Sequence, residues 1–295
     1  MNEQSARRAP TSDRRIPGWA AGLLARLARE RPAVVTYADV ERMLAETGSD
    51  RQPEDTVREL RRLGWLVPLH VTGAWAYLPP GEDEITDPYI DLRGWRARDP
   101  GAVLALAGEA AAWHLGYLDR ASGGPPAVWI PDGDRLPYGL RPHLTVITLG
   151  WQAQDARRLE PGPRLLHRRH LDLTRWAAGL PAFGPEALLA QLAARPSSFR
   201  AWADLISHLE ELAGDCDPQR LITLLPGQSG STWQRAAYLL HRGGCHQPAL
   251  EVFGHRPSST LLKAQFGTGG RSVWDGEFNV ADHLIAPLQA GLGKA

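Results

Sequence analysis

The chain has 295 residues, 43% apolar and 22% charged, a composition that suits a soluble globular protein of two domains and excludes a disordered or low-complexity one. Lys and Arg balance Asp and Glu at 33 each, so a uniformly basic coat is excluded and a DNA reader must concentrate its positive charge on one face. Cys216 and Cys245 are too few for a disulfide framework, and no window holds the roughly 18 apolar residues of a membrane helix.

No basic start followed by an apolar run and a cleavage site opens the chain, so a cytoplasmic location with reduced thiols is expected. Apart from Lys263 and Lys294 the basic residues are all Arg, and in so Ala-, Gly- and Pro-rich a chain abundant Arg alone carries little weight.

Residues 1–14 carry no apolar period and read as a disordered tail, whose Arg7, Arg8 and Arg14, with Arg15, either meet phosphates or are simply solvated. Trp19, Leu23, Leu24 and Leu27 recur at helical spacing after Pro17 and before Pro32, predicting a first helix over about 17–30. Thr36 with Asp39 three residues on is a capping-box pair, so a second helix is predicted over 37–46, stopped by Gly48. A polar break follows, and Pro53 opens a third helix at the position that tolerates it.

The third helix has two chemically distinct sides. Val57, Leu60 and Leu63 lie on one; Arg51, Asp55, Arg58 and Arg62 lie on the other, flanked by Arg61. A recognition helix needs this division, because one side packs on its neighbours while the other enters a major groove. The planar guanidinium can grip guanine O6 and N7 or clamp a phosphate. A solvated helix with Glu54–Arg58 and Glu59–Arg62 pairs is the competing reading. Gly64 ends the helix, Trp65–His70 and Trp75–Leu78 read as strands, and Thr72-Gly73 reads as their turn. Three helices followed by a β-hairpin is the order of a winged helix-turn-helix, here over 15–80. Pro79-Pro80-Gly81 and three acidic residues then mark a linker at 81–89, with a second domain over 90–295.

In that second domain, residues 99–119 read as one Ala-rich helix, with His114 an interior histidine. Ala127–Ile130 and His143–Leu149 read as strands, and Arg164–Leu173 as a third. Arg157, Arg158, Arg168 and Arg169 lie here, read either as an extended DNA face or as a solvated sheet; His167 and His170 lack further metal ligands. Helices follow from Pro185, across Phe199–Ala213, from Asp217-Pro218 and across Ser231–His241. Phe278–Val280 reads as a strand, and 282–287 closes the domain.

Catalytic motifs are not found. Gly227–Ser231 lacks the Lys of a phosphate loop, and there is no HExxH, CxxC or GxSxG. Cys216, His241, Cys245 and His246 lack zinc-finger spacing, and Asp215, Asp217 and Asp275 form no magnesium set. No catalytic residue, metal or cofactor is therefore expected, and the chain does not read as an enzyme.

The whole chain, over about 15–295, resembles the AbiEi family of antitoxins from type IV toxin–antitoxin systems. The resemblance rests on the winged-helix head and then, in order, on GEAAAWHLGYLDR, GPEALLAQLAAR, DPQRLITLL, WQRAAYLLHRGG and WDGEFNVADHLIAPL. The family's usual GxRLGYLL stands here as WQRAAYLL, without the packing Gly.

The resemblance implies a mixed α+β protein, with an N-terminal winged helix-turn-helix domain followed by a larger mixed α/β C-terminal domain. It implies a repressor that binds double-stranded DNA repeats in its own promoter. It also implies an antitoxin that neutralises a nucleotidyltransferase-like toxin through the C-terminal domain, without a stable complex. Carried over by position, the DNA-binding residues are Arg51, Gln52, Thr56, Arg58, Arg61 and Arg62 on the helix, with His70 and Thr72 on the wing. The alternative is a winged-helix regulator that answers to a small ligand and has no toxin partner.

Overall fold

The computed structural model describes residues 14–121, 123–130, 135–147, 149, 173–175, 180–257 and 262–292. The chain divides into two compact units. One runs from the N-terminus to Ala102 and takes in Arg135–His143; the other comprises Val103–Asp134 and Leu144 onward.

In the first unit a short 3-10 turn, Gly18–Ala20, leads into α1 (Ala21–Glu30). Strand β1 (Val34–Thr36) then feeds directly into α2 (Tyr37–Glu46). Thr36 caps α2 as expected: its hydroxyl accepts from the Asp39 N–H at 3.3 Å, and its own N–H donates to the Asp39 carboxylate at 3.0 Å. Helix α3 (Pro53–Arg62) starts on its proline, and β2 (Leu66–Pro68) and β3 (Ala74–Tyr77) form the hairpin.

The three strands make an antiparallel sheet with β3 in the middle, Val35 opposite Trp75 and Val67 opposite Ala76. Leu23, Leu27, Val40, Met43, Val57, Leu60, Trp65 and Trp75 close one core beneath the helices. The order and pairing are those of a winged helix-turn-helix. Strand β1, a three-residue strand that ends on the cap residue Thr36, is an addition to the elements read from the sequence.

The first unit runs past the expected linker at 81–89. Helix α4 (Ile90–Arg98) packs on β1 and β3, burying Leu92 and Trp95. Gly94 permits the approach, because a Cβ there would stand 2.6 Å from a methyl carbon of Leu69. The 3-10 turn Tyr138–His143 belongs to the same unit, and Gly139 meets the wing backbone: an added Cβ would lie 2.2 Å from the His70 carbonyl oxygen.

The second unit corrects the single helix expected at 99–119. Its residues instead form strand β4 (Ala105–Leu106) and a short helix α5 (Gly108–His114). Gly108 breaks the run with φ +53, a left-handed conformation that an Ala would resist. Its N–H donates to the buried Gln191 side chain at 2.8 Å.

Strands β5 (Ala127–Trp129), β6 (Thr145–Ile147), β7 (Leu173–Arg175) and β8 (Pro181–Phe183) join β4 in a mixed five-stranded sheet of order β6-β5-β4-β8-β7. Apart from Leu173, the segment 164–173, with Arg157, Arg158, Arg168, Arg169, His167 and His170, lies outside the described residues.

The remainder is largely helical: α6 (Pro185–Ala194), α7 (Trp202–Leu205), α8 (Leu209–Asp215), α9 (Pro218–Leu224), α10 (Gly230–Arg242) and α11 (His246–Gly254). Asp217 caps α9, and Ser229 caps α10. A small sheet follows, with β11 (Val280–Asp282) between β10 (Val273–Asp275) and β9 (Ala264–Phe266), before α12 (Ile285–Leu292). Helices α6 and α10 are buried along most of their length, and they pack on each other.

Candidate nucleic-acid interface

Helix α3 buries Val57 and Leu60 completely, and this fixes which way its charged side faces. Arg58 and Arg62 are 76% and 68% exposed, and Arg61 is exposed beside them. Arg58 pairs with Asp55 at 3.1 Å rather than with Glu54. Arg62 holds Glu59 through two hydrogen bonds, at 2.5 and 3.1 Å, and this contact keeps the Glu59 carboxyl below the usual carboxylate range. Such exposed pairs contribute little to stability, so a phosphate can replace either carboxylate at small cost.

The N-terminal end of α3 is pre-ordered. Gln52 is the cap residue and is exposed; Arg51 precedes it and lays its guanidinium 3.9 Å from the centre of the Trp19 ring. Stacking on an indole removes much of the rotamer freedom that an arginine otherwise loses on binding.

Two of the expected readers are engaged inside the unit. Thr56 is fully buried, and its hydroxyl donates to the Gln52 carbonyl at 2.9 Å. Position 56 lies on the Val57–Leu60 side of the helix, so Thr56 fixes the first turn and is not presented to a groove. His70 is half-buried: its N–H donates to one Asp91 oxygen at 2.8 Å, and Nδ1 stands 2.9 Å from the other. Its ring stacks on His143 at 3.4 Å. It therefore anchors the wing to α4 and to the 138–143 turn.

Thr72 is exposed at the hairpin turn, which Gly73 closes with φ +82. Arg14, expected in the tail, donates to the carbonyls of Leu78, Pro79 and Glu82 and covers Trp65. The structure thus exposes Arg58, Arg61 and Arg62 on α3, with Arg51 and Gln52 exposed at its entry, and leaves Thr72 exposed on the wing turn.

In the second unit the segment carrying the GEAAAWHLGYLDR pattern performs packing work. Glu109, buried, accepts the Arg200 N–H at 2.6 Å. The Tyr117 hydroxyl donates to Asp215 at 2.7 Å, and burial together with that carboxylate raises the phenol well above its ordinary range. Glu186 accepts the Asp217 N–H at 3.0 Å. An open hollow of about 510 Å³ lies against Glu109, Leu118, Arg120, Arg200 and Asp204.

A winged helix-turn-helix unit with an exposed arginine face is thus joined in one chain to a mixed α/β unit. Residues 102–242 match the family model of the AbiEi antitoxin C-terminal domain. Over those residues the chain carries an AbiEi antitoxin C-terminal domain, the antitoxin side of toxin–antitoxin pairs. It is similar to the RV2827C protein of Mycobacterium tuberculosis, whose crystal structure aligns with a TM-score of 0.82 at 48% identity, over 97% of this chain and 98% of that one. The comparison with curated proteins gave no match. Among the described residues no helix is long and apolar enough to cross a membrane.

Proposed function

We propose that this antitoxin represses its own operon by reading double-stranded promoter DNA through α3 and the wing, and that its C-terminal unit neutralises a nucleotidyltransferase-like toxin encoded beside it. The observation that carries the DNA reading is the exposed set Arg58, Arg61 and Arg62 on α3, with Arg51 just ahead of its cap, opposite a side where Val57 and Leu60 are fully buried. Arg51 is held in place by Trp19, and the other arginines carry only surface pairs that phosphate can displace. Four arginines against three carboxylates between 51 and 62 make a modest local charge. Affinity must then come from positioned contacts more than from bulk attraction.

The test is a titration of the purified protein with about 200 base pairs of DNA from upstream of its gene, at two salt concentrations, with random DNA as control. Tight, salt-steep preference for the upstream fragment is expected, the slope being roughly −0.9 for each phosphate neutralised. Arg58→Ala and Arg62→Ala should each weaken specific binding by roughly 5- to 150-fold if they read a base. Equal binding to both fragments by the parent protein would remove autoregulation. Rescue from the neighbouring toxin in co-expression then tests the antitoxin arm by itself. A ligand-responsive regulator is the second reading, favoured by the hollow beside Arg120 and Arg200; a reproducible thermal shift with one metabolite class would support it.

A further inference from the structure

We propose that His241, His246 and Glu277 form a site for one divalent transition-metal ion, with Zn²⁺ the natural occupant. His241 stands in the last turn of α10, and His246 is the first residue of α11. The corner between them is forced by the sequence Gly243-Gly244. A Cβ on Gly243 would lie 2.4 Å from that of Ala213 and 2.6 Å from the Leu209 carbonyl oxygen, and Gly244 has φ +84. A larger residue at Gly243 would have to move the helices, and at Gly244 any L side chain strains the left-handed backbone. The two imidazoles therefore face each other at a fixed spacing.

That spacing suits a metal. The two Nδ1 atoms are 3.1 Å apart. Two ligands of a tetrahedral ion with Zn–N bonds of about 2.0–2.1 Å sit roughly 3.3 Å from one another. Without an ion one ring donates its N–H to the lone pair of the other; ligation needs both Nδ1 lone pairs inward, which the donor ring supplies by holding its proton on Nε2 instead.

Glu277 supplies the third ligand. One ligand atom from each of the three residues lies within 4.8 Å of the others. The Glu277 oxygen faces His246 Nε2 at 3.5 Å and must swing toward the Nδ1 pair to reach the same ion, since an imidazole binds one ion through one nitrogen. The carboxylate is exposed, so side-chain rotation alone can close the remaining distance.

The turn bearing Glu277 is itself well fixed. Asp275 accepts the Phe278 N–H at 2.9 Å, and Asn279 adopts φ +57, a left-handed conformation that Asn tolerates. Phe278 is fully buried, with its ring 5.3 Å from both His241 and Phe253.

Two neutral imidazoles and one carboxylate are a donor set for Zn²⁺, and they leave a fourth position for water. The ion would tie the α10–α11 corner to the β10–β11 turn, joining segments about thirty residues apart. No chemistry at the ion is invoked.

The test uses the full-length, untagged protein after chelator treatment, titrated calorimetrically with ZnCl₂, with the visible absorption of Co²⁺ as a second readout. One saturable equivalent and a Co²⁺ spectrum of four-coordinate type are expected, together with a rise in melting temperature on adding Zn²⁺. Glu277→Gln should weaken binding by roughly tenfold or more, and His246→Gln should abolish the stoichiometric phase. Circular dichroism establishes that each variant is folded, and His255→Gln, on an exposed histidine outside the set, should bind like the parent. Absence of saturable Zn²⁺ binding by the parent, or parent-like binding by both folded variants, would overturn the assignment.

Discussion

The two units place their charges in opposite ways. In the winged helix the carboxylates and guanidiniums of α3 stand outside, paired with each other at three-residue spacing, and the core beneath is apolar. In the C-terminal unit several polar side chains are inside, each bound to the backbone of a neighbouring segment. Glu109 holds the Arg200 N–H, Gln191 the Gly108 N–H and Glu186 the Asp217 N–H. Gln234 donates to the carbonyls of Leu262 and Phe278. A buried polar group left without its partner costs far more than an exposed pair contributes. The first unit is therefore free to vary its surface for recognition, whereas the second is fixed in shape by hydrogen bonds that tolerate little change.

The sharpest test of that contrast is Asp282→Ala. Asp282 is fully buried and accepts from the N–H groups of Leu284, Ile285 and Ala286 and from the Tyr238 hydroxyl. Removing it orphans a helix start and a phenol together, so a loss of about 3–5 kcal/mol in urea unfolding is expected. A loss below about 1 kcal/mol would break the comparison.

Leu60→Ala cuts the fully buried stripe of α3 and should cost about 2–5 kcal/mol in urea unfolding. Thr36→Ala removes half of a capping box, for about 1 kcal/mol.

Alkali gives a milder signal. Burial pushes the Tyr89 phenol up to about 12, and Tyr117 and Tyr238 are raised as well, so the native state holds them neutral after the unfolded chain has begun to ionise. Their contribution is complete below pH 10 and is lost as pH rises through the native pKa; Tyr89→Phe should flatten the decline of stability between about pH 10 and 12. Smallest of all, Arg58→Ala should leave the melting temperature essentially unchanged while weakening DNA binding, and a large stability loss would show that the pair with Asp55 does more than screen charge.

The first unit was largely legible because its signals are local. Thr36 with Asp39, and Pro53 at a helix start, mark ends that the structure keeps to the residue. The arginine face followed from periodicity alone. Thr56 did not, because its place beside Val57 and its hydroxyl bond to Gln52 need coordinates. Helix α4 was missed: in IDLRGWRAR the charges of Asp91, Arg93, Arg96 and Arg98 leave no clear apolar period, and its burial depends on Gly94 accepting Leu69.

In the second unit, helix propensity misled at 99–119, where pairing of Ala105 and Leu106 with β5 and β8 overrides it. Helix α11 went unread because Gly243-Gly244 reads as the end of the preceding helix and no apolar period was followed beyond it; Pro248 falls in its first turn, where a proline is tolerated. The His241–His246 pair was in view, but Glu277 lies too far along the chain to be joined to it by spacing.

The turn at 138–143 carries one more consequence, for the order in which the protein is made. Gly139 seats against the backbone of His70, and His143 stacks on its ring, so the first unit is not contiguous in the chain. A ribosome releases residues in sequence, and that unit must wait for a piece encoded some forty codons after α4. A fragment cut after the wing, or after α4, would leave the ribosome without that piece, and the face of His70 it covers would meet water instead.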